Sequence, residues 1–445
     1  MQIDPNLFYS KSSNGIRFAT SVNNASQSVA ISVGVMVGSG YEQEFEHGCA
    51  HLVEHLSFLG SLKNSDVSIA EKMSSLGGQI NARTINNYIE FSCVVLQENA
   101  YEALGIMSNL LNLDGLESKA FENEKQVVLR EMGCWGCWHE IQSLSLQAAF
   151  NDHPLTRSVI GTEDSIENMK MLTVQNFVKK HFVGSNVIIS VVGNVELKLV
   201  SDVIDADFGY LLEGKGNELL KPVYSGGVRI DRGFCNTGHF YLGFLGPKVS
   251  EHKSLALNCL ISIFGGTPNS RLMSEFREKR GLLYNWDVSW AEFGNETLVT
   301  IAFDIDVDDL KDAGKIVVEQ LQSLATNMNE KEFGSHKRQL QLDEAVSHDN
   351  LLMQSESMIN EIIDHNRPFT ACERLVKVGN LEMEEVKSVA QNMLASVPTF
   401  VAMGPRSKVP TLRDLGLDEL NSGSFEATGY GFFSDLRQRL SGTNG

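Results

Sequence analysis

Either side of a glycine-rich polar stretch, the chain runs twice through the same succession of strand and helix signals, and this repeat constrains the fold more than any other feature. In the first half, Gln27–Val37 is rich in Val and Ile and alternates in part, as a half-buried strand does. Gly38-Ser39-Gly40 breaks it. Helical periodicity follows over His47–Leu59 and again over Ser68–Leu76, where Gly77-Gly78 supplies a stop. Ile80–Leu96 reads as strand, Tyr101–Leu111 and Glu117–Phe150 as helix, and Val187–Val192 as a compact apolar strand ending at Gly193-Asn194. The pattern then fails between Glu213 and Gly227, which reads as an interdomain linker. Beyond it come strand His239–Phe244, helices Lys253–Phe264 and Ser270–Lys279 flanking Gly265-Gly266, and strand Glu296–Asp304. Helices Val307–Met328 and Glu330–Ile363 follow, then strand Thr399–Met403, closed by Gly404-Pro405. Two halves alike in order and rhythm, though not in residue identity, point to a duplicated α/β unit. The expected boundaries are 1–212, a linker at 213–228, a second domain at 229–420 and a Gly- and Ser-rich tail at 421–445.

Composition removes several classes of function. At 445 residues, 42% hydrophobic and 21% charged, the chain is long enough to bury more than one core. No run approaches the roughly 18 apolar residues of a membrane span. A net charge of −19 opposes nonspecific nucleic-acid binding, which needs clustered Lys and Arg, and is compatible with basic peptides as ligands. Seven thinly spread cysteines make no disulfide framework and suit a reducing compartment. The opening Met1-Gln2-Ile3-Asp4-Pro5 lacks the features of a secretory signal or an Arg-rich transit peptide. A bacterial cytoplasm is therefore expected, with the mitochondrial matrix as the alternative.

One segment of the first half carries chemistry: His51-Leu52-Val53-Glu54-His55. On a helix, positions i and i+4 share a face, so two imidazoles can reach one metal ion. Glu54 lies a turn from His51 and beside His55, within reach of a water at that metal. This His-x-x-Glu-His order is the inverted form of the commoner zincin motif. It implies two neutral His ligands, one carboxylate base and a zinc that lowers the pKa of water to about 7. The motif follows a strand across the Gly38 and Gly40 break, and the rest of its helix (Leu52, Val53, Leu56, Phe58, Leu59) is apolar. Burying His and Glu beside such a face is costly unless they are used. A catalytic zinc usually takes three protein ligands. The helix Phe121–Met132 offers Glu122, Glu124 and Glu131, and spacing on its own does not choose among them.

With these residues and their neighbours, the chain resembles the pitrilysin/insulinase family of zinc metallopeptidases, in the shorter branch that includes mitochondrial processing peptidases and their bacterial relatives. The likeness is carried by Gly38-Ser39-Gly40-Tyr41-Glu42 and by the run from Gly48-Cys49-Ala50 through the motif to Leu59-Gly60, and extends over roughly residues 15–405. It implies that Glu131, 76 residues after His55, is the third zinc ligand. Glu124 falls on the family's supporting carboxylate, which does not bind metal. Leu76–Thr84 resembles the strand that pairs with the substrate backbone, with Asn81 and Ala82 on the matching positions. Pairing of that kind reads a peptide through main-chain hydrogen bonds and tolerates many side chains. His153-Pro154-Leu155, Ile160-Gly161-Thr162 and Val191–Val195 resemble later blocks. In the second half, Arg277 and Tyr284 match a pair that reaches across to bound peptide; a tyrosine hydroxyl on the developing oxyanion is worth about 3 kcal/mol in a dry site. Two departures stand out. Gly40 replaces a frequent Arg, which is expected to be harmless. The loop Gly265–Asn269 has fewer glycines than that of the noncatalytic processing-peptidase subunit, so this chain resembles a metal-bearing subunit.

The resemblance implies an α+β fold of two homologous domains, each an antiparallel sheet covered on one side by helices, the first being the zinc domain. It implies one Zn2+ per chain on His51, His55 and Glu131. Glu54 is the expected base, with Glu124, Arg277 and Tyr284 in support and Asn81, Ala82, Arg277 and Tyr284 on the substrate. The expected activity is endopeptidase cleavage of unfolded or leader-like peptides in a closed chamber, made by a homodimer or by a heterodimer with a related subunit. The alternative is a noncatalytic or partner-dependent subunit. Cys134-Trp135-Gly136-Cys137, His139 and His153 read as structural, His47 as outside the metal shell, and Lys279-Arg280 as a solvated helix end.

Overall fold

The computed structural model describes residues 6–59, 68–134, 137–151, 153–218, 220–231, 237–248, 251–283, 285–405 and 408–417. Two five-strand patterns of identical order organise them. In the first half, β1 (Leu7–Lys11), β2 (Arg17–Val22), β3 (Ser28–Val35), β4 (Gln79–Thr84), β5 (Ile89–Leu96) and β6 (Val187–Gly193) form a sheet in the order β1-β2-β6-β3-β5-β4. In the second, β7 (Gly227–Asp231), β8 (Thr237–Leu245), β9 (Trp286–Phe293), β10 (Glu296–Asp306) and β11 (Thr399–Met403) lie in the order β7-β11-β8-β10-β9. Leaving aside β1, which pairs outside β2, the sheets superpose strand for strand in topology. Each is antiparallel except for one pair: β6 runs parallel to β2, and β11 parallel to β7. Those strands return from a long helical excursion and enter between the first two strands, and a crossover of that length is what a parallel pair requires.

The first half carries helices α1 (Cys49–Ser57), α2 (Ile69–Ser75), α3 (Ala100–Asn109), α4 (Ser118–Cys134), α5 (Cys137–Phe150), α6 (Glu163–Glu167), α7 (Met171–His181) and α8 (Leu197–Asp207). The second carries α9 (Glu251–Ile261), α10 (Leu310–Asn327), α11 (Glu330–Asp349), α12 (Leu351–His365), α13 (Ala371–Asn380) and α14 (Met383–Ala395). One face of the first sheet packs on its own helices, with Leu52, Val53 and Leu56 of α1, Leu104 of α3 and Phe177 of α7 in the same core as Ile31, Val33 and Phe91. The other face is not open. Ala19, Ile188 and Val192 meet Met358, Ile359 and Ile362 of α12, which belongs to the second half. Reciprocally, Ile141 and Ala148 of α5 pack on Tyr241, Ala302, Val401 and Met403 of the second sheet. The halves thus exchange one helix each, and both sheets are covered on both faces. This explains why β6 is buried at every position instead of alternating.

One run expected as a single helix is split: Glu330–Ile363 divides at Asn350. Within Glu117–Phe150, α4 and α5 lie either side of residues 135–136, which are outside the described residues. Asn350 leaves the helical region (φ −93°, ψ 108°) and its side chain accepts from the backbone N–H groups of Leu352 and Met353, capping α12. Ile80–Leu96 is a hairpin, β4 and β5, turning at residues 85–88. β7 opens at Gly227, inside the stretch read as linker, and residues 220–226 before it carry no helix or strand. The expected tail at 421–445 lies outside the described residues.

Candidate active site

The motif helix α1 is fixed at its start by packing and capping. Gly48, at its N-terminus, sits at φ +86°, where a side chain is strained, and a Cβ there would come within 2.8 Å of the Ile160 carbonyl oxygen. Glu42, 2% exposed, caps the helix: its Oε2 accepts from Gly48 N at 2.9 Å and its Oε1 from Ala50 N at 2.7 Å. Burial raises the Glu42 pKa to about 8, against the pull of those two N–H donors. Upstream, Gly38 lies so close to the β4–β5 turn that a Cβ would stand 2.0 Å from the Ile85 carbonyl oxygen. Gly40 N donates to the Asn86 carbonyl at 3.0 Å. These contacts hold α1 beside the end of β4. Leu52, Val53 and Leu56 bury one face of α1 and turn His51, Glu54 and His55 to the other.

Facing them is α4. Phe121, Val128 and Lys125 anchor it, the Lys125 ammonium donating to the carbonyls of Glu167 and Met169. Glu124 and Glu131, two turns apart, both reach the motif. His55 Nε2 lies 3.5 Å from Glu131 Oε2, and His51 Nε2 lies 3.9 Å from the same oxygen. Both separations are too long for good hydrogen bonds. Two ligands each about 2.1 Å from one tetrahedral zinc stand roughly 3.4 Å apart, close to what is seen. The donor atoms of His51, His55 and Glu131 all lie within 4.8 Å of one another, and this is the one such group of His, Cys, Asp and Glu among the described residues. His55 Nδ1 meets Glu124 Oε2 at 3.2 Å, so the ring donates there and turns the lone pair of Nε2 toward Glu131. Burial, and then the neighbouring His55, lower the His51 pKa to about 4, leaving a neutral imidazole at neutral pH. The donor set therefore fits a zinc ion.

Glu54 stands on the same face, and burial raises its pKa above the usual carboxylate value. Its Oε2 accepts a 2.5 Å hydrogen bond from the Thr84 hydroxyl at the end of β4. Beyond closing the block Leu76–Thr84, nothing in the sequence marked Thr84 as a partner of Glu54: a β-branched residue in a strand is what packing alone selects. Asn81 and Ala82 lie on β4, the outer strand of its sheet, Asn81 exposed and Ala82 half-buried against the core that α1 shares. Arg277 is exposed on a π-helical turn, Met273–Lys279, in the second half, and is not part of the cluster. Tyr284 lies outside the described residues. The His47 ring is taken up by the Ser158 carbonyl at 3.0 Å, and His153 Nδ1 accepts from Leu155 N. The side chains of Cys134, Cys137 and His139 lie outside the described residues. The space a side chain at Gly40 would need is filled by Leu155 and Leu220, whose methyls stand 2.6 and 2.7 Å from a Cβ built there.

Fold and donor set define the class: a duplicated two-domain α+β protein with a His-His-Glu group in its first domain that could hold a metal ion. Residues 17–163 match the family model described as "Insulinase (Peptidase family M16)", and residues 171–340 match "Peptidase M16 inactive domain". The chain belongs to peptidase family M16. It is 25% identical over 403 residues to the zinc protease YmxG of Bacillus subtilis, covering 89% of this chain and 98% of that one. It is 23% identical over 412 residues to the mitochondrial-processing peptidase subunit beta of Blastocladiella emersonii, covering 89% and 88%. Among solved structures, a protease from Helicobacter pylori shares the fold with a TM-score of 0.81 at 20% identity, over 90% of this chain and all of that one. The "peptidase M16 inactive domain" structure from Pseudomonas fluorescens does so at 0.81 and 18%, over 91% and 100%.

Proposed function

We propose that this chain is a zinc-dependent endopeptidase that cleaves extended, unfolded peptides. The observation that carries the reading is the convergence of His51, His55 and Glu131 beside Glu54, on two helices packed face to face. His51, His55 and Glu131 would hold one zinc ion per chain, which when bound supplies a Lewis acid for the scissile carbonyl and a more acidic water. Glu54 takes the proton of the attacking water and passes it to the leaving amine. Glu124 keeps His55 in the tautomer that leaves Nε2 free. Among the described residues β4 presents an unpaired edge next to Glu54, and an extended peptide can add to that edge through its backbone, at Asn81 and Ala82. A folded segment cannot present such a strand, so unfolded or leader-like peptides are the substrates. Arg277 and Tyr284 of the second half would contact the same peptide and enclose it. A relative named as a processing-peptidase subunit supports assembly with a second copy or a related subunit around a closed chamber. No helix among the described residues is long and apolar enough to cross a membrane, which accords with the cytoplasm, or the mitochondrial matrix as the alternative.

The test is direct. Purified protein should bind one zinc per chain and cleave an unfolded protein, lose both to a chelator and regain both with zinc. Glu131→Gln should fail to retain the metal. Zinc binding without cleavage, alone or with a co-purifying partner, would favour the noncatalytic reading.

A further inference from the structure

We infer that Thr84 is a positioning residue for the catalytic base, fixing Glu54 to the strand on which the peptide is laid. The inference rests on the reading of Glu54 as base and adds a residue to it. The Thr84 hydroxyl donates to Glu54 Oε2 at 2.5 Å, across 30 positions of sequence. A carboxylate held at one oxygen cannot turn freely about its last bond, so Oε1 keeps one direction for the proton it receives. The donor itself is well fixed. Thr84 pairs with Ile89 in the β4–β5 ladder, and its branched Cβ restricts χ1. Glu54 is held in turn by α1, whose entry lies against the turn that follows Thr84, through Gly40 N and the Asn86 carbonyl.

The consequence concerns register. Asn81 and Ala82 precede Thr84 by three and two residues on one strand. A peptide that pairs with the β4 edge takes its position from the same backbone that orients the base. Thr84 therefore couples where the peptide lies to where the proton goes. A misplacement of about 1 Å between reacting groups costs on the order of a hundredfold in rate, which a hydrogen bond of this kind prevents.

The experiment compares wild type, Thr84→Val, Thr84→Ser, Glu54→Gln and the Thr84→Val/Glu54→Gln double variant, reading bound zinc, melting temperature, kcat and KM on one unfolded peptide. Valine keeps the branched shape and removes the hydroxyl, whereas serine keeps the hydroxyl. We expect Thr84→Val to lose roughly 10- to 100-fold in kcat with zinc content and KM unchanged. Thr84→Ser should recover most of that loss, and the double variant should be no slower than Glu54→Gln alone. An inactive Glu54→Gln beside a Thr84→Val of undiminished kcat would overturn the inference and leave the base assignment standing. Parallel loss of zinc and rate in Thr84→Val, unrepaired by serine, would also overturn it. Turnover by Glu54→Gln would instead remove the reading beneath it.

Discussion

Glu124 and Glu42 show how single carboxylates do different work, Glu42 fully buried and Glu124 half-buried. Among the described residues Glu124 meets the outer nitrogen of His55, 3.2 Å away, and in the proposed function its part is to orient a ligand. Glu124→Gln should keep the fold and weaken zinc affinity about 10- to 100-fold, measured by competition with a chromophoric chelator. Glu42 touches no ligand. Its raised pKa adds stability that is full below the usual value of 4.5 and is lost as pH rises through about 8. Buried His181, lowered to about 4, acts oppositely: its contribution is full above 6.5 and lost as pH falls through 4. Between pH 6.5 and 8 the imidazole no longer changes, and Glu42, with Glu90 and Glu292 (both raised to about 7 by burial), contributes to the slope. The urea midpoint should therefore fall over that interval, and Glu42→Gln should flatten the fall. At this scale His51, Glu54 and His55 were legible because two His and a Glu at helical spacing are rare on an apolar helix, whereas Glu131 was singled out only through the family resemblance, spacing alone leaving Glu122 and Glu124 open beside it. The Glu42 cap and the Thr84 bond were not: the cap bridges six to eight residues with no motif to mark it, and the Thr84 bond joins segments 30 residues apart.

At the scale of elements, strands buried on both faces were legible as apolar runs: β3, β6, β8 and β11 fall where Val, Ile and Phe cluster. β1 was not, because four of its five residues are exposed and leave no apolar pattern. The break between α11 and α12 was also hidden. Leu351, Leu352 and Met353 continue a helical rhythm, and a single Asn carries the signal for the turn. Its side chain caps two N–H groups, so Asn350→Ala should cost about 1 kcal/mol in denaturant unfolding. The hairpin end of β4 is tied on both sides. Thr84 bonds to α1, while Arg83 donates to Glu90 at 2.7 Å and to Tyr88, whose hydroxyl donates to Asn360 of α12. The exchanged helix therefore reaches the strand beside the metal site.

For the whole molecule, exchange of α5 and α12 makes two duplicated halves one folding problem. The repeat was readable in the order of elements, but the exchange was not, because an apolar helix face does not say which sheet it will cover. Ile359 is fully buried against the first sheet although it belongs to the second half. Ile359→Ala should cost about 2–5 kcal/mol and speed hydrogen exchange in β3 and β6. Protection lost only in the second half would contradict that. The same architecture brings a first half with a possible metal site and a second half of the "inactive domain" type into one chain, and the proposed function assigns catalysis to the first. The most direct test of this account is turnover of an unfolded peptide by purified Glu54→Gln protein carrying its zinc. The account predicts full metal content with the rate reduced at least about a hundredfold; undiminished cleavage by that variant would contradict it.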